Sequence, residues 1–251
     1  MKNLILEHIS RLEDSLNLQV VLACETGSRA WGFPSPDSDY DVRLIYLHST
    51  EWYHTLFEKK DSVEYMSEDG EIDLTGWELR KTLRLLSKSN PALLERLQSP
   101  IVYKSEPALL GKIQELVPHF YSRRASLHHY ASMAKKSVAG MADSTYRLKT
   151  FFYALRAASA CRWIHLNEVC PPIVFSEMLE GIDMPQALRN RTQELVELKA
   201  GKSEAYMHEG ELSLRTWIDN TLNQSWEDAD RLPATKGDLG LLDDLLNDSL
   251  K

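Results

Sequence analysis

Cysteine is nearly missing from this chain, with three in 251 residues, at positions 24, 161 and 170. An odd number without paired spacing excludes a disulfide scaffold and a cysteine zinc site, and it favours reduced thiols in a cytoplasmic protein. Cys24 and Cys161 read as small core residues. Long apolar runs are missing too. No segment has the length of a membrane span, and the opening MKNLILEHISRLEDSLN breaks its apolar residues with charge, unlike a signal peptide. Repeats and low-complexity stretches are lacking, and so is any recognised RNA-reading module. An excess of positive charge is also lacking: the net charge of −8 argues against a protein that coats nucleic acid. What the chain does have is a 43% apolar content, enough for one large core or two modest ones without staples.

The charge is segregated. Between Tyr121 and His165 stand eight basic residues (Arg123, Arg124, Lys135, Lys136, Arg147, Lys149, Arg156 and Arg162) and one acid, Asp143, so this stretch is +7 and the remainder −15. Such a stretch either faces a polyanion or forms the solvated faces of ordinary helices.

Apolar positions at helical spacing over Leu4, Ile5, Ile9, Leu12 and Leu16 give way to the continuous LQVVLACE, so a helix feeds a buried strand that stops before Gly27. VRLIYL predicts a second strand. SVEYM and EIDLTG, separated by the turn-forming SEDG, predict two more. WELRKTLRLLSKS has helical periodicity and stops before Asn90-Pro91. From Glu106 onward the reading is helices only, with Pro185 opening PQALRNRTQELVELKAG and LGLLDDLLNDSL forming a short amphipathic helix near the end. The expected fold class is therefore α/β (α+β): a small mixed-sheet domain over 1–115 and a helical bundle over 116–251.

The informative stretch is CETGSRAWGFPSPDSDYDVRLIYL. Side chains two apart on a strand share a face, so Asp39 and Asp41 project together while Tyr40 and Val42 turn to the other layer. Adjacent carboxylates repel unless a cation lies between them, and oxygen donors suit Mg²⁺ or Mn²⁺ better than zinc. Asp73, between Ile72 and Leu74 on a strand expected beside the first, supplies a third acid. Glu71 competes for that place from the edge of the turn, and Asp37 reads as a turn-capping or supporting residue. Gly27 lets the backbone turn tightly and approach a ligand, the Ser28 hydroxyl can bond phosphate oxygens, and Arg29 adds a cation. Alone, Gly-Ser is an ordinary turn, and Asp37-Ser38-Asp39 is a polar entry to a strand. Together with the further Asp-bearing strand they point to catalysis.

The constellation Gly27-Ser28, Asp39-x-Asp41 and Asp73 resembles the nucleotidyltransferase superfamily typified by DNA polymerase beta and the kanamycin nucleotidyltransferases. More narrowly, GSRAWGFPSPDSDYDVR, DLTGWELRKTLRLLSKSNPALLERLQSPIVY and RLKTFFYALRAASACRWI are similar to the bacterial and phage group called RlaP, or YcgL-like, predicted nucleotidyltransferases associated with RNA repair. The resemblance implies transfer of a nucleoside monophosphate from an NTP to a hydroxyl. Asp39 and Asp41 would hold both metals, and Asp73 would complete the site and accept the acceptor's proton. It also supports Lys149, Tyr153 and Arg156, which share one face at helical spacing, as nucleotide-binding residues. The one departure from the group's pattern is Arg96, in LLERLQSP, where an aromatic residue is usual. That change bears on packing.

The acceptor that the resemblance implies is an RNA or tRNA end, with a small molecule or a protein hydroxyl as alternatives within the same chemistry. A reading from another class is an antitoxin-like or other non-catalytic protein that meets a protein partner on the same fold. Such a protein would tolerate loss of Asp39 and Asp41 together.

Overall fold

A computed structural model describes residues 1–141 and 144–251. The elements run α1 (Lys2–Leu16), β1 (Leu18–Glu25), α2 (Gly27–Trp31), β2 (Tyr40–His48), α3 (Thr50–Tyr53), β3 (Ser62–Met66), β4 (Ile72–Glu78), α4 (Leu79–Ser87), α5 (Pro91–Leu97) and β5 (Val102–Ser105). They continue with α6 (Pro107–Phe120), α7 (Arg123–Ala139), β6 (Thr145–Arg147), α8 (Leu148–Leu166), α9 (Phe175–Glu180), α10 (Gln186–Ala200), β7 (Met207–Glu209), α11 (Leu212–Arg231) and α12 (Gly240–Ser249). The protein is thus mixed α/β, as its pattern predicts. It divides into two compact units: Met1–Gly27 with Asp39–Tyr121 and Lys236–Lys251, and Ser28–Ser38 with Ser122–Thr235.

The first unit is built on a five-stranded sheet of order β3-β4-β2-β1-β5. β2 and β4 run parallel and the other neighbours antiparallel. β1 lies near the sheet's centre, which is why LQVVLACE is almost continuously apolar and buried. One sheet face, with Val20, Ala23, Val42, Leu44, Ile72 and Leu74, closes on Ile5 and Ile9 of α1. The alternate residues of β2 and β4 therefore belong to the opposite face: Asp41 and Arg43 on one strand, Asp73, Thr75 and Trp77 on the other. Deeper on that side the Arg96 guanidinium lies 3.3 Å from the Trp77 ring centroid, and Nη1 donates to the Leu44 carbonyl at 3.1 Å. A flat cation stacked on indole does the work of an aromatic ring, which accounts for arginine at this position.

Helix boundaries follow local chemistry. Trp77 and Glu78 remain in β4 instead of opening α4 as their periodicity suggests, because they pair with Ile45 and Tyr46. Glu78 then caps α4, its carboxylate accepting from the Arg80 and Lys81 amides. Asn90 caps α5 through the Leu93 amide, with Pro91 in the first turn. α12 docks by its apolar stripe: Leu242 and Leu245 are buried, and the Thr50 hydroxyl donates to the Leu250 carbonyl at 2.8 Å.

In the second unit α7, α8 and α11 pack on one another. Ala154, Ala157, Ala158 and Ala160 of α8 are fully buried, small residues that let helices approach closely. Phe151, Phe152, Met178 and Met184 are core. Two short strands, β6 and β7, pair antiparallel where the sequence pattern shows only helix, since three residues each are too few to carry an alternation. Phe152 is fully buried and stacks on Phe33 at 4.9 Å between centroids. Phe152→Ala is expected to cost about 3–5 kcal/mol, read from a shifted urea unfolding midpoint with an unchanged slope. Among the described residues no helix is long and apolar enough to cross a membrane.

Candidate active site

In the first unit Asp41 and Asp73 are direct register partners on the parallel strands β2 and β4, so their side chains leave the sheet on one face side by side. Arg43 follows Asp41 by two residues and shares that face. Its Nη2 donates to Asp41 Oδ1 at 2.7 Å and to Asp73 Oδ2 at 2.9 Å, and its Nη1 donates to the Asp73 carbonyl at 2.9 Å. One cationic nitrogen thus touches both carboxylates. The acids remain about one-third exposed while Arg43 is 17% exposed, so the guanidinium lies on the inner side of the pair.

Asp39 stands just ahead of β2 and is exposed. The Tyr40 amide donates to the Glu71 carbonyl at 2.8 Å, so Glu71 lies at the mouth of the strand pair while Asp73 lies inside it. Among the described residues no group of three or more His, Cys, Asp or Glu side chains is placed to hold a metal ion. The donor chemistry of the two paired acids does fit a hard divalent cation, being oxygen-only and paired at one level of the sheet.

Gly27 has φ +64°, and a Cβ there would come within 2.2 Å of Asp41 Oδ2. The Asp41 carboxylate rests against a backbone that only glycine leaves open. Behind it, the Asp41 amide donates to Glu25 Oε1 at 2.7 Å, and the Tyr103 hydroxyl donates to Glu25 Oε2. Glu25 is fully buried. It ties the start of β2 to the end of β1, and the Thr26 amide returns a bond to the Asp41 carbonyl at 2.9 Å.

The second unit holds the remaining candidates. The Ser28 hydroxyl donates to Ser38 Oγ at 3.1 Å, and Arg29 Nη2 donates to the Ser38 carbonyl at 2.6 Å. Ser38 Oγ donates to Glu204 Oε1 at 2.8 Å, and Lys149 Nζ pairs with Glu204 Oε2 at 2.5 Å. Asp37 accepts from the Glu204 amide at 2.9 Å. Tyr153 meets the Trp31 ring edge-on at 5.3 Å, and Arg156 covers the same ring at 4.2 Å. Arg156 is 2% exposed and donates to the Ile173 carbonyl. Its guanidinium belongs to the interior of this unit.

Lys199 is also buried, its Nζ bonded to Ser35 Oγ at 2.9 Å. Burial pushes its pKa below the ordinary lysine range; Glu204 and Asp37 oppose the shift and Lys149 adds to it. An unfolded lysine keeps its ordinary pKa, so between the two values the unfolded state binds more protons and stability rises with pH. Lys199→Met should abolish that rise and leave stability at neutral pH equal or higher, measured as melting midpoints of both chains across the alkaline range.

Most of the basic stretch is engaged within its own unit. Arg123 donates to the Ile164 and His165 carbonyls, Arg124 meets Asp230 at 3.9 Å, and Arg162 pairs with Asp183. With Lys149, Arg156 and Lys135, whose Nζ lies 5.9 Å from the Trp226 ring centroid, that accounts for six of the eight. Lys135, Lys136 and Arg147 are exposed.

Arg43, Glu25 and Glu204 escaped the reading of the sequence as site residues. Arg43 obeys the two-residue rule that groups Asp39 with Asp41, and Glu25 is a charge at the end of an apolar run. Glu204 carries no local signal, because its partners are distant in sequence.

The crystal structure of a nucleotidyltransferase-like protein from Exiguobacterium sibiricum 255-15 is similar at a TM-score of 0.30 with 12% identity, over 88% of this chain and 73% of that one. The uncharacterized protein YcgL of Bacillus subtilis (strain 168) is 37% identical over 240 residues, 95% of this chain and 92% of its own length. The model of the RNA repair pathway DNA polymerase beta family, RlaP, matches residues 1–248. The chain belongs to the RlaP family, and with it to the polymerase-beta-like nucleotidyltransferases.

Proposed function

We propose that the protein transfers a nucleoside monophosphate from an NTP to the hydroxyl of an RNA or tRNA end, with pyrophosphate leaving, using Asp39, Asp41 and Asp73 to hold Mg²⁺ or Mn²⁺. The observation that carries this reading is the register pairing of Asp41 with Asp73, both bonded to one cationic nitrogen. Divalent cations bound there would stabilise charge on the reacting phosphate and favour deprotonation of the attacking hydroxyl. The protein's own part begins with orientation. Glu25 and Thr26 fix the backbone of Asp41, and Gly27 leaves room for its carboxylate. Asp73 would take the acceptor's proton.

In the second unit, the Ser28 hydroxyl, Arg29 and Lys149 are assigned to phosphate oxygens and Tyr153 to the nucleoside, with Arg156 holding Trp31 in place beside Tyr153. The RNA acceptor is supported by the family's description and by the exposed Lys135, Lys136 and Arg147. The three exposed cations of that stretch imply a shallow salt dependence of RNA binding, steeper than that of a small molecule.

The test is incubation with Mg²⁺ and each α-labelled NTP, with and without total RNA. Label is expected in RNA, sensitive to ribonuclease, with pyrophosphate released in equal amount. Label confined to the protein or to a small molecule would contradict the acceptor, and no transfer from any NTP would contradict the activity.

A further inference from the structure

The acids of the first unit already hold a cation, and it is part of the chain. We propose that Arg43 is a resident counter-charge that holds Asp41 and Asp73 together in the metal-free protein and yields its place when a divalent cation binds, so that it sets the metal affinity of the site. This rests on the reading of Asp41 and Asp73 as metal ligands.

Three observations carry it. Two carboxylates at the same register position of adjacent strands repel, and the chain offsets this by placing a guanidinium on their face two residues along. A single nitrogen, Nη2, bonds both acids at 2.7 and 2.9 Å, so the two carboxylates that would hold a metal ion already share one positive group. The other nitrogen, Nη1, is anchored independently on the Asp73 and Val42 carbonyls at 2.9 and 3.2 Å. A cation can therefore displace the Nη2 contacts while the side chain stays tethered. A metal ion entering the site must break two charge-assisted hydrogen bonds and remain near a positive group.

The consequence separates two quantities that a purely structural arginine would move together. Removing the guanidinium takes away the counter-charge that the two acids share, which lowers stability without metal and raises affinity for metal. Since the pair is partly exposed, the effect is modest, about tenfold in affinity.

The full chain, Arg43→Gln, Arg43→Lys and Asp73→Asn are to be titrated with Mn²⁺ by electron paramagnetic resonance, and melted in EDTA and in excess Mn²⁺. Arg43→Gln is expected to bind Mn²⁺ about tenfold more tightly, to melt below the parent in EDTA, and to regain the difference in Mn²⁺. Arg43→Lys, keeping the charge, is expected within about threefold of the parent affinity. Unchanged or weaker binding by Arg43→Gln, while the parent binds and Asp73→Asn does not, would overturn this inference alone. No Mn²⁺ binding by the parent or by Arg43→Gln would overturn the metal reading and this inference with it. In the unmodified chain, the Arg43 guanidinium ¹⁵N resonance, assigned by its loss in Arg43→Lys, is expected to shift with Mg²⁺ in step with binding. A resonance that does not move would also overturn the inference, whether or not Arg43→Gln folds.

Discussion

Asp41→Asn and Asp73→Asn are each expected to reduce nucleotidyl transfer by at least about 10²–10³-fold while the melting midpoint moves by only a few degrees. The asymmetry follows from where the two acids stand. Both lie at the level where β2 and β4 run side by side, both are about one-third exposed, and both pair with Arg43. Replacing one carboxylate by its amide keeps the shape, leaves the apolar face of the sheet untouched and removes one partly screened ion pair, a change of about 1 kcal/mol or less. Chemistry that depends on a negative oxygen at that place loses its charge altogether. Asp39→Asn tests the third acid, which stands exposed ahead of the strand. An equal loss of transfer, with the same small change in stability, is the result expected of a ligand. Quantified label incorporation from α-labelled NTP, set against calorimetric midpoints, checks all three. A non-catalytic protein on this fold would show no transfer to lose.

Gly27→Ala is expected to lower transfer by about 10²-fold and stability by about 1 kcal/mol. Two effects combine at this residue. Its φ of +64° is a backbone state that an L side chain adopts only at a cost, and the added Cβ would come within 2.2 Å of Asp41 Oδ2. The nearest atom is the tip of a side chain, so the clash is relieved by turning the Asp41 carboxylate away from Gly27. That relief is cheap for the fold and expensive for the site, because the carboxylate then leaves its place beside Asp73. Relative turnover should therefore fall far more than the unfolding midpoint does. A variant that loses stability but keeps its turnover would mean that the position of the Asp41 carboxylate is immaterial to the reaction.

Much of this was legible in the residues. LQVVLACE is β1 in full, SVEYM is β3, and Asp73 lies on a strand beside Asp41, because a continuous apolar run and a two-residue alternation each impose a direction on side chains. The same rule, applied one step further to Arg43, would have shown that the acids carry their own counter-ion. What the pattern could not show is what depends on distant partners. Glu204 meets Lys149 and Ser38 across a separation in sequence that no periodicity reports. Arg156 falls on the stripe with Lys149 and Tyr153, but helical spacing alone does not reveal that Trp31 and the Ile173 carbonyl already enclose it. Nor does a count of basic residues show that six of eight are spent on carbonyls, rings and acids of their own unit.

The most direct test of the central claim, that the paired Asp41 and Asp73 carboxylates support metal-dependent nucleotidyl transfer, follows α-labelled NTP into RNA in Mg²⁺, in EDTA, and in the Asp41→Asn, Asp73→Asn double variant. The account predicts label in RNA with matching pyrophosphate in Mg²⁺ alone, and neither in the other two conditions. Incorporation that persists in the double variant, or release of inorganic phosphate in place of pyrophosphate, would contradict it.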